Sequence, residues 1–161
     1  MPSPAVRTAL VVRDLLGVDE STIRIGRLDW ERETFDTEII AVDVLGTATA
    51  VFQGQRYDGT AEQLQQVATY RVPMVIDFFG PDAFGRAARF RLAMQTEKAQ
   101  ALQAEHQITL GHVATLNDLS GLVGTQRTGQ VQATLTALYT TAQTDDVKRI
   151  DTTTLDFLWS K

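Results

Sequence analysis

The run from Gln130 to Thr140 constrains this chain more than any other. Val131, Ala133, Leu135, Ala137 and Tyr139 fall on one side of an extended backbone, against Gln132, Thr134, Thr136 and Thr140 on the other. A strict period of two marks a half-buried β-strand, because successive side chains point to opposite faces. A second run of the same kind lies within Glu62 to Phe79. There Tyr70, Val72, Met74, Ile76 and Phe78 alternate with Arg71, Pro73, Val75 and Asp77. Two long strands with one apolar face each require a covering layer. Pro73 has no N–H for a ladder, so an edge or a bulge is expected there.

Two helical stretches supply that layer. Pro4 suits a first turn, Val6, Ala9, Leu10, Arg13 and Leu16 follow at helical spacing, and Gly17 is a stop, which gives a helix over about 4–16. Gly80-Pro81-Asp82 ends the long strand and opens a second helix over about 82–104, with Asp82 as its expected cap. That helix carries two apolar stripes. One holds Ala83, Ala87, Phe90, Met94 and Ala101; the other holds Phe84, Ala88, Leu92, Ala99 and Leu102. A helix apolar on two sides is expected to touch more than one partner.

Further strands are expected from Ile23 toward Trp30, at Glu38–Leu45 and at Thr47–Tyr57, with a turn at Asp58-Gly59. A short strand is expected around Ile108, Leu110 and His112, and a last one over Ile150–Trp159. Leu116–Gly124 reads as a loop and Ala142–Lys148 as a polar turn. The 161 residues suit a single domain. The expected architecture is α+β, a mostly antiparallel sheet flanked by two main helices. Its several edge strands need protection in a monomer or pairing in an oligomer.

Catalytic and cofactor signatures are missing from the pattern. There is no cysteine, so no thiolate, disulfide or cysteine nucleophile is available. His106 and His112 lie six residues apart and could share a strand face, but no carboxylate or cysteine cluster completes a metal site. No serine sits in a Gly-x-Ser-x-Gly elbow, and GPDAFG (80–85) lacks the lysine of a phosphate-binding loop. Neither a metal nor a cofactor is expected, and the chain reads as a non-enzyme. Arg86, Arg89 and Arg91 around Phe90 could meet nucleic acid, but a net charge of −5 opposes tight phosphate binding, and an interface or solvated face is the favoured reading. The N-terminal apolar positions are broken by Arg7, Arg13 and Asp14, so no secretory signal is expected, and no run is long enough for a membrane helix.

The second half carries a recognisable order of elements. VPMVIDFFG (72–80) leads into PDAFGRAARFRLAM (81–94), then HQITLGHV (106–113), LSGLVGTQRTGQ (119–130), VQATLTALYT (131–140) and RIDTTTLDF (149–157). This order, over about residues 70–157, resembles the neck and tail-terminator proteins of tailed bacteriophages. That family often has an aromatic followed by an arginine in the loop before the penultimate strand; here Thr125-Gln126-Arg127 matches only at Arg127.

The resemblance implies a virion protein, assembled in the host cytoplasm into a ring, commonly of six copies, at the head–tail junction. Such a ring caps the tail tube, contacts connector, tube or sheath proteins, and lets genomic DNA pass without sequence-specific binding. An acidic lumen would suit that passage. Phe52, Gln53, Arg56 and Tyr57, on a strand exposed by pattern, are candidate interface residues, together with Arg127 and Trp159. Two alternatives stay open. One is another phage component, such as a tail-tube, baseplate or head-completion protein. The other is a small non-catalytic ligand-binding domain.

Overall fold

A computed structural model describes residues 2–26, 37–123 and 126–146, with the backbone alone for the described residues between 122 and 128. The fold is α+β; among the described residues three α-helices lie on a mixed, mostly antiparallel sheet. Strands β4 (Gln63–Phe79) and β9 (Gln130–Asp146), each of 17 residues, form its spine. They pair without interruption from Gln63↔Asp146 to Phe79↔Gln130. At about 3.3 Å per residue the ladder runs about 55 Å.

Each spine strand has two shorter neighbours on its other edge. β2 (Ile39–Val44) pairs the last part of β4, and β3 (Thr49–Asp58) pairs the first part. β5 (Thr109–Leu110) and β6 (Thr115–Asp118) pair the first part of β9. β1 (Ile23–Ile25) lies parallel to β2. β7 (Gly121–Val123) and β8 (Gln126–Thr128) form a separate two-stranded ladder.

Pro73 sits where β2 gives way to β3. Val44 pairs Met74, Thr49 pairs Arg71, and the Pro73 carbonyl accepts from Leu45 N at 2.8 Å. In an antiparallel strand the N–H and C=O of one residue point the same way. The missing donor therefore faces the gap between two partner strands. The bulge lies elsewhere, in β3 between Ala50 and Phe52.

The helices cover one face of one half of this sheet. α1 (Pro4–Leu16) is capped by Ser3 Oγ, which accepts from Val6 N at 3.3 Å, and ends at Gly17 in the left-handed region. Its Ala5, Ala9, Val12 and Leu15 join Val72, Met74, Ile76 and Phe78 of β4 and Val131, Ala133, Leu135 and Ala137 of β9 in the core. Phe90 packs on Phe78 with ring centres 5.9 Å apart. Burying a ring of that size stabilises by about 2–3 kcal/mol.

The second helix differs from the sequence expectation. It breaks into α2 (Ala83–Ala93) and α3 (Glu97–Glu105). Thr96 adopts an extended backbone, and its Oγ1 accepts from Ala99 N at 3.3 Å, so it caps a new helix. Asp82 occupies the first cap position but makes no side-chain cap bond. Its carboxylate folds over Gly85 and pairs with Arg89 at 3.3 Å.

Two further expectations change. The stretch read as a loop holds most of β6 and all of β7, and the stretch read as a polar turn is strand as far as Asp146. The strand expected at Ile150–Trp159 lies outside the described residues.

Candidate assembly surface

Beyond the helices, β3, the first half of β4 and the second half of β9 continue as a three-stranded arm. Nine of its residues, Gln63 to Arg71, rise about 30 Å. All of β3 except Gln55's neighbour Gly54 is exposed. The arm's side chains are mainly amides and hydroxyls. On the face continuous with the helices stand Gln53, Gln55, Gln66, Thr141 and Gln143, which line a shallow concavity with Tyr70. On the other face stand Phe52, Arg56, Thr69, Thr140 and Asp146, where the Thr69 and Thr140 hydroxyls lie 2.9 Å apart.

The tip is acidic. Asp58 Oδ1 accepts from Thr60 N at 2.9 Å and Ala61 N at 3.2 Å, which closes the turn into β4. Those two amides, with a smaller contribution from Arg56, hold its carboxyl below the usual range. Asp146 accepts from Gln63 at 3.1 Å, and Asp145 accepts from Gln66 at 3.3 Å and Gln143 at 3.0 Å. With Asp58 and Glu62, these carboxylates gather at one end of the arm, Asp146 on the face that carries Arg56 and Asp145 on the other.

The sequence-derived interface residues divide into two groups. Phe52, Gln53, Arg56 and Tyr57 stand together on β3, with Phe52 57% and Tyr57 49% exposed. The Phe52 ring lies over Gly54, where a Cβ would come within 2.8 Å of it. Arg127 is on β8, opposite Leu122, away from that strand's ladder, and Trp159 lies outside the described residues. Sequence reasoning missed Thr141, Gln143, Asp145 and Asp146. They are polar on both faces, so no apolar alternation marked them as strand.

The two apolar stripes of the second helix are divided by its break: within α2 the first is buried and the second largely exposed, whereas in α3 Ala99 of the second is buried and Ala101 of the first exposed. Ala83, Ala87 and Phe90 are buried, whereas Phe84 is 57% and Leu92 68% exposed on the opposite side of α2.

The arginines do not form one basic patch. Arg86 is buried, its Nη2 donates to the Phe79 carbonyl, and desolvation pushes its pKa below the ordinary value. Arg89 pairs with Asp82, and Arg91 is exposed. The two histidines do not share a strand face either. His106 follows α3 and contacts Asp14 at 3.0 Å, whereas His112 is exposed after β5. Among the described residues no group of three His, Cys, Asp or Glu could hold a metal, and no helix is long and apolar enough to cross a membrane.

These features provide backbone edges, amides and exposed aromatics, the chemistry of protein–protein contact. Comparison with known proteins shows the family. The model of a family described as phage neck terminator protein covers residues 10–159. A search of the curated proteins finds no match.

Proposed function

This chain belongs to the phage neck terminator protein family, and we propose that it is the subunit of a ring that ends the tail tube and joins it to the head-side connector. As a member of that family it is a structural protein of the virion neck. The projecting arm carries the finer reading. A three-stranded extension with little apolar burial of its own gains stability by meeting other chains. Phe52, Gln53, Arg56 and Tyr57 are its contact residues toward a neighbour, and Arg127 and Trp159 complete the interface. The exposed Phe84–Leu92 side of α2 supplies a second contact.

Six copies around one axis would enclose a channel for the genome. The net charge of −5 and the carboxylates at the arm tip favour a wall that DNA slides past. Assembly of the ring takes place in the host cytoplasm, before or during joining to the tail.

Light scattering on the purified protein, followed by negative-stain imaging with and without tail tubes, tests the reading. Rings in solution, or a monomer that forms rings on added tubes, support it. A stable monomer that ignores both tubes and portals overturns it. A cryo-EM ring with a strongly basic channel wall would overturn the proposed lumen.

A further inference from the structure

We propose that the outer edge of β3 in one copy pairs, in parallel, with the edge of β9 beyond Leu138 in the next copy, joining the arms into one continuous sheet. The inference rests on the ring reading and names the surfaces that close the ring.

The two edges come from the topology. Among the described residues β3 pairs only with β4, from Thr49 to Asp58. On the far side of β9, pairing with β5 ends at Thr109↔Leu138, and no described strand continues it toward Asp146. Among the described residues the arm therefore has two unpaired edges of similar length on opposite sides. Exposed edges of this kind invite strand addition, and proteins commonly blunt them with proline, lysine or short strands. Neither edge contains a proline or a lysine between Thr49 and Asp58 or between Thr140 and Asp146. The bulge in β3 lies at its root, which leaves the stretch from Phe52 to Asp58 regular.

A second copy is the occupant that fits both edges at once. One edge of the arm meets the opposite edge of the next, a heterologous contact that a rotation axis closes. The strand directions agree with this. β3 and β9 are each antiparallel to β4, so they run the same way. Arms that all point along one axis can then join only through a parallel β9–β3 junction.

Charge matches across that junction. Register places Arg56 level with Gln65 and Thr144, and Asp58 level with Gln63 and Asp146. Arg56 and Asp146 lie on the same face, one residue pair of that face apart in height. A closed sheet needs a stagger between strands, and a stagger of two residues would bring Arg56 of one copy level with Asp146 of the next. Both residues are exposed, and Arg56 makes no ion pair among the described residues.

The chain has no cysteine, so a pair can be introduced cleanly. The full-length R56C/D146C double variant and both single variants are treated with a short bis-maleimide and run on denaturing gels. The double variant is expected to give a covalent ladder that ends at the ring size, and the single variants are expected to stay monomeric. In parallel, R56E is expected to shift the assembled species to monomer, and R56E/D146R to restore it. Rings that assemble normally but yield no ladder, and tolerate R56E, would overturn the edge pairing alone. A covalent dimer from R56C by itself would overturn it in favour of a two-fold β3–β3 contact. Wild-type protein that never assembles, alone or on tubes, would overturn the ring reading itself.

Discussion

Gly80 and Gly129 meet backbone to backbone where the two long strands enter the helical layer. The Gly80 amide donates to the Gly129 carbonyl at 3.0 Å, and a Cβ on Gly129 would collide with the Gly80 carbonyl. Gly80 also has a φ of +114°, a conformation that side chains disfavour. The Gly129→Ala substitution should therefore force the β4–α2 junction apart. The expected loss is about 1–3 kcal/mol, as for overpacking elsewhere. Denaturant midpoints of wild type and variant measure it, and an unchanged midpoint would contradict the close approach.

Arg7 ties the first helix to the end of the third. Its Nη1 donates to the Gln107 carbonyl at 2.8 Å and the His106 carbonyl at 3.3 Å, and its guanidinium lies 5.1 Å from the centre of the Tyr139 ring. The Arg7→Met substitution keeps the buried stem and leaves the carbonyls without this donor. It should destabilise by about 2–3 kcal/mol. Arg7→Lys should fall between the two, because an ammonium cannot reproduce the planar fork. Equal stability of all three proteins by chemical denaturation would refute the role.

Asp14 should make stability fall in acid. Its carboxyl is held below the ordinary range first by the hydrogen bond from Arg13 Nε at 2.7 Å, and also by His106 at 3.0 Å. A carboxyl with a lower pKa in the folded state than its unfolded value of about 3.9 stabilises the fold above that pH. The contribution disappears as pH falls through the folded value. D14N should be less stable than wild type near neutrality, and the two curves should converge below about pH 4. Parallel curves across the acid range would remove Asp14 as the cause.

Phe90 and Phe84 lie on opposite sides of α2 and should respond differently. Phe90 is fully buried against Phe78, so Phe90→Ala should cost about 3–5 kcal/mol. Phe84 is mostly exposed, so Phe84→Ala should leave monomer stability within about 0.5 kcal/mol. If α2 is a contact face, the same substitution should weaken assembly in light scattering. Loss of stability in both variants, with assembly intact, would make Phe84 a core residue.

Sequence reading found β9 because one face is dry and the other wetter from Val131 to Tyr139, under the helices. β4 has the same alternation from Tyr70 to Val72 but is buried on both faces from Met74 to Phe79, where its run of apolar residues marked it as strand. Past Tyr139 both faces meet solvent, so TTAQTDD carries no contrast, and from Ala142 onward it read as a turn. The break at Thr96 was hidden for a related reason. The apolar spacing continues through it, and only the threonine's local capping bond divides the helix. β6 is short and mostly exposed, and it is strand because β9 offers it an edge. Phe52 and Tyr57 were legible as surface aromatics from their place in a polar strand. Their partners at the tip of β9 were not, since pairing between residues so distant in sequence leaves no local trace.

The unbroken β4–β9 ladder has a consequence for how the arm evolves and folds. Polar strands exposed on both faces have no hydrophobic pattern to fix their alignment and tend to slip. Here the alignment is decided far away, where Phe78 sits opposite Val131 and Ile76 opposite Ala133 in the core. Once those pairs zip, every pair out to Gln63 and Asp146 is determined. The outer half inherits its alignment, so its sequence can diversify to suit new neighbours without misaligning the strands that carry it.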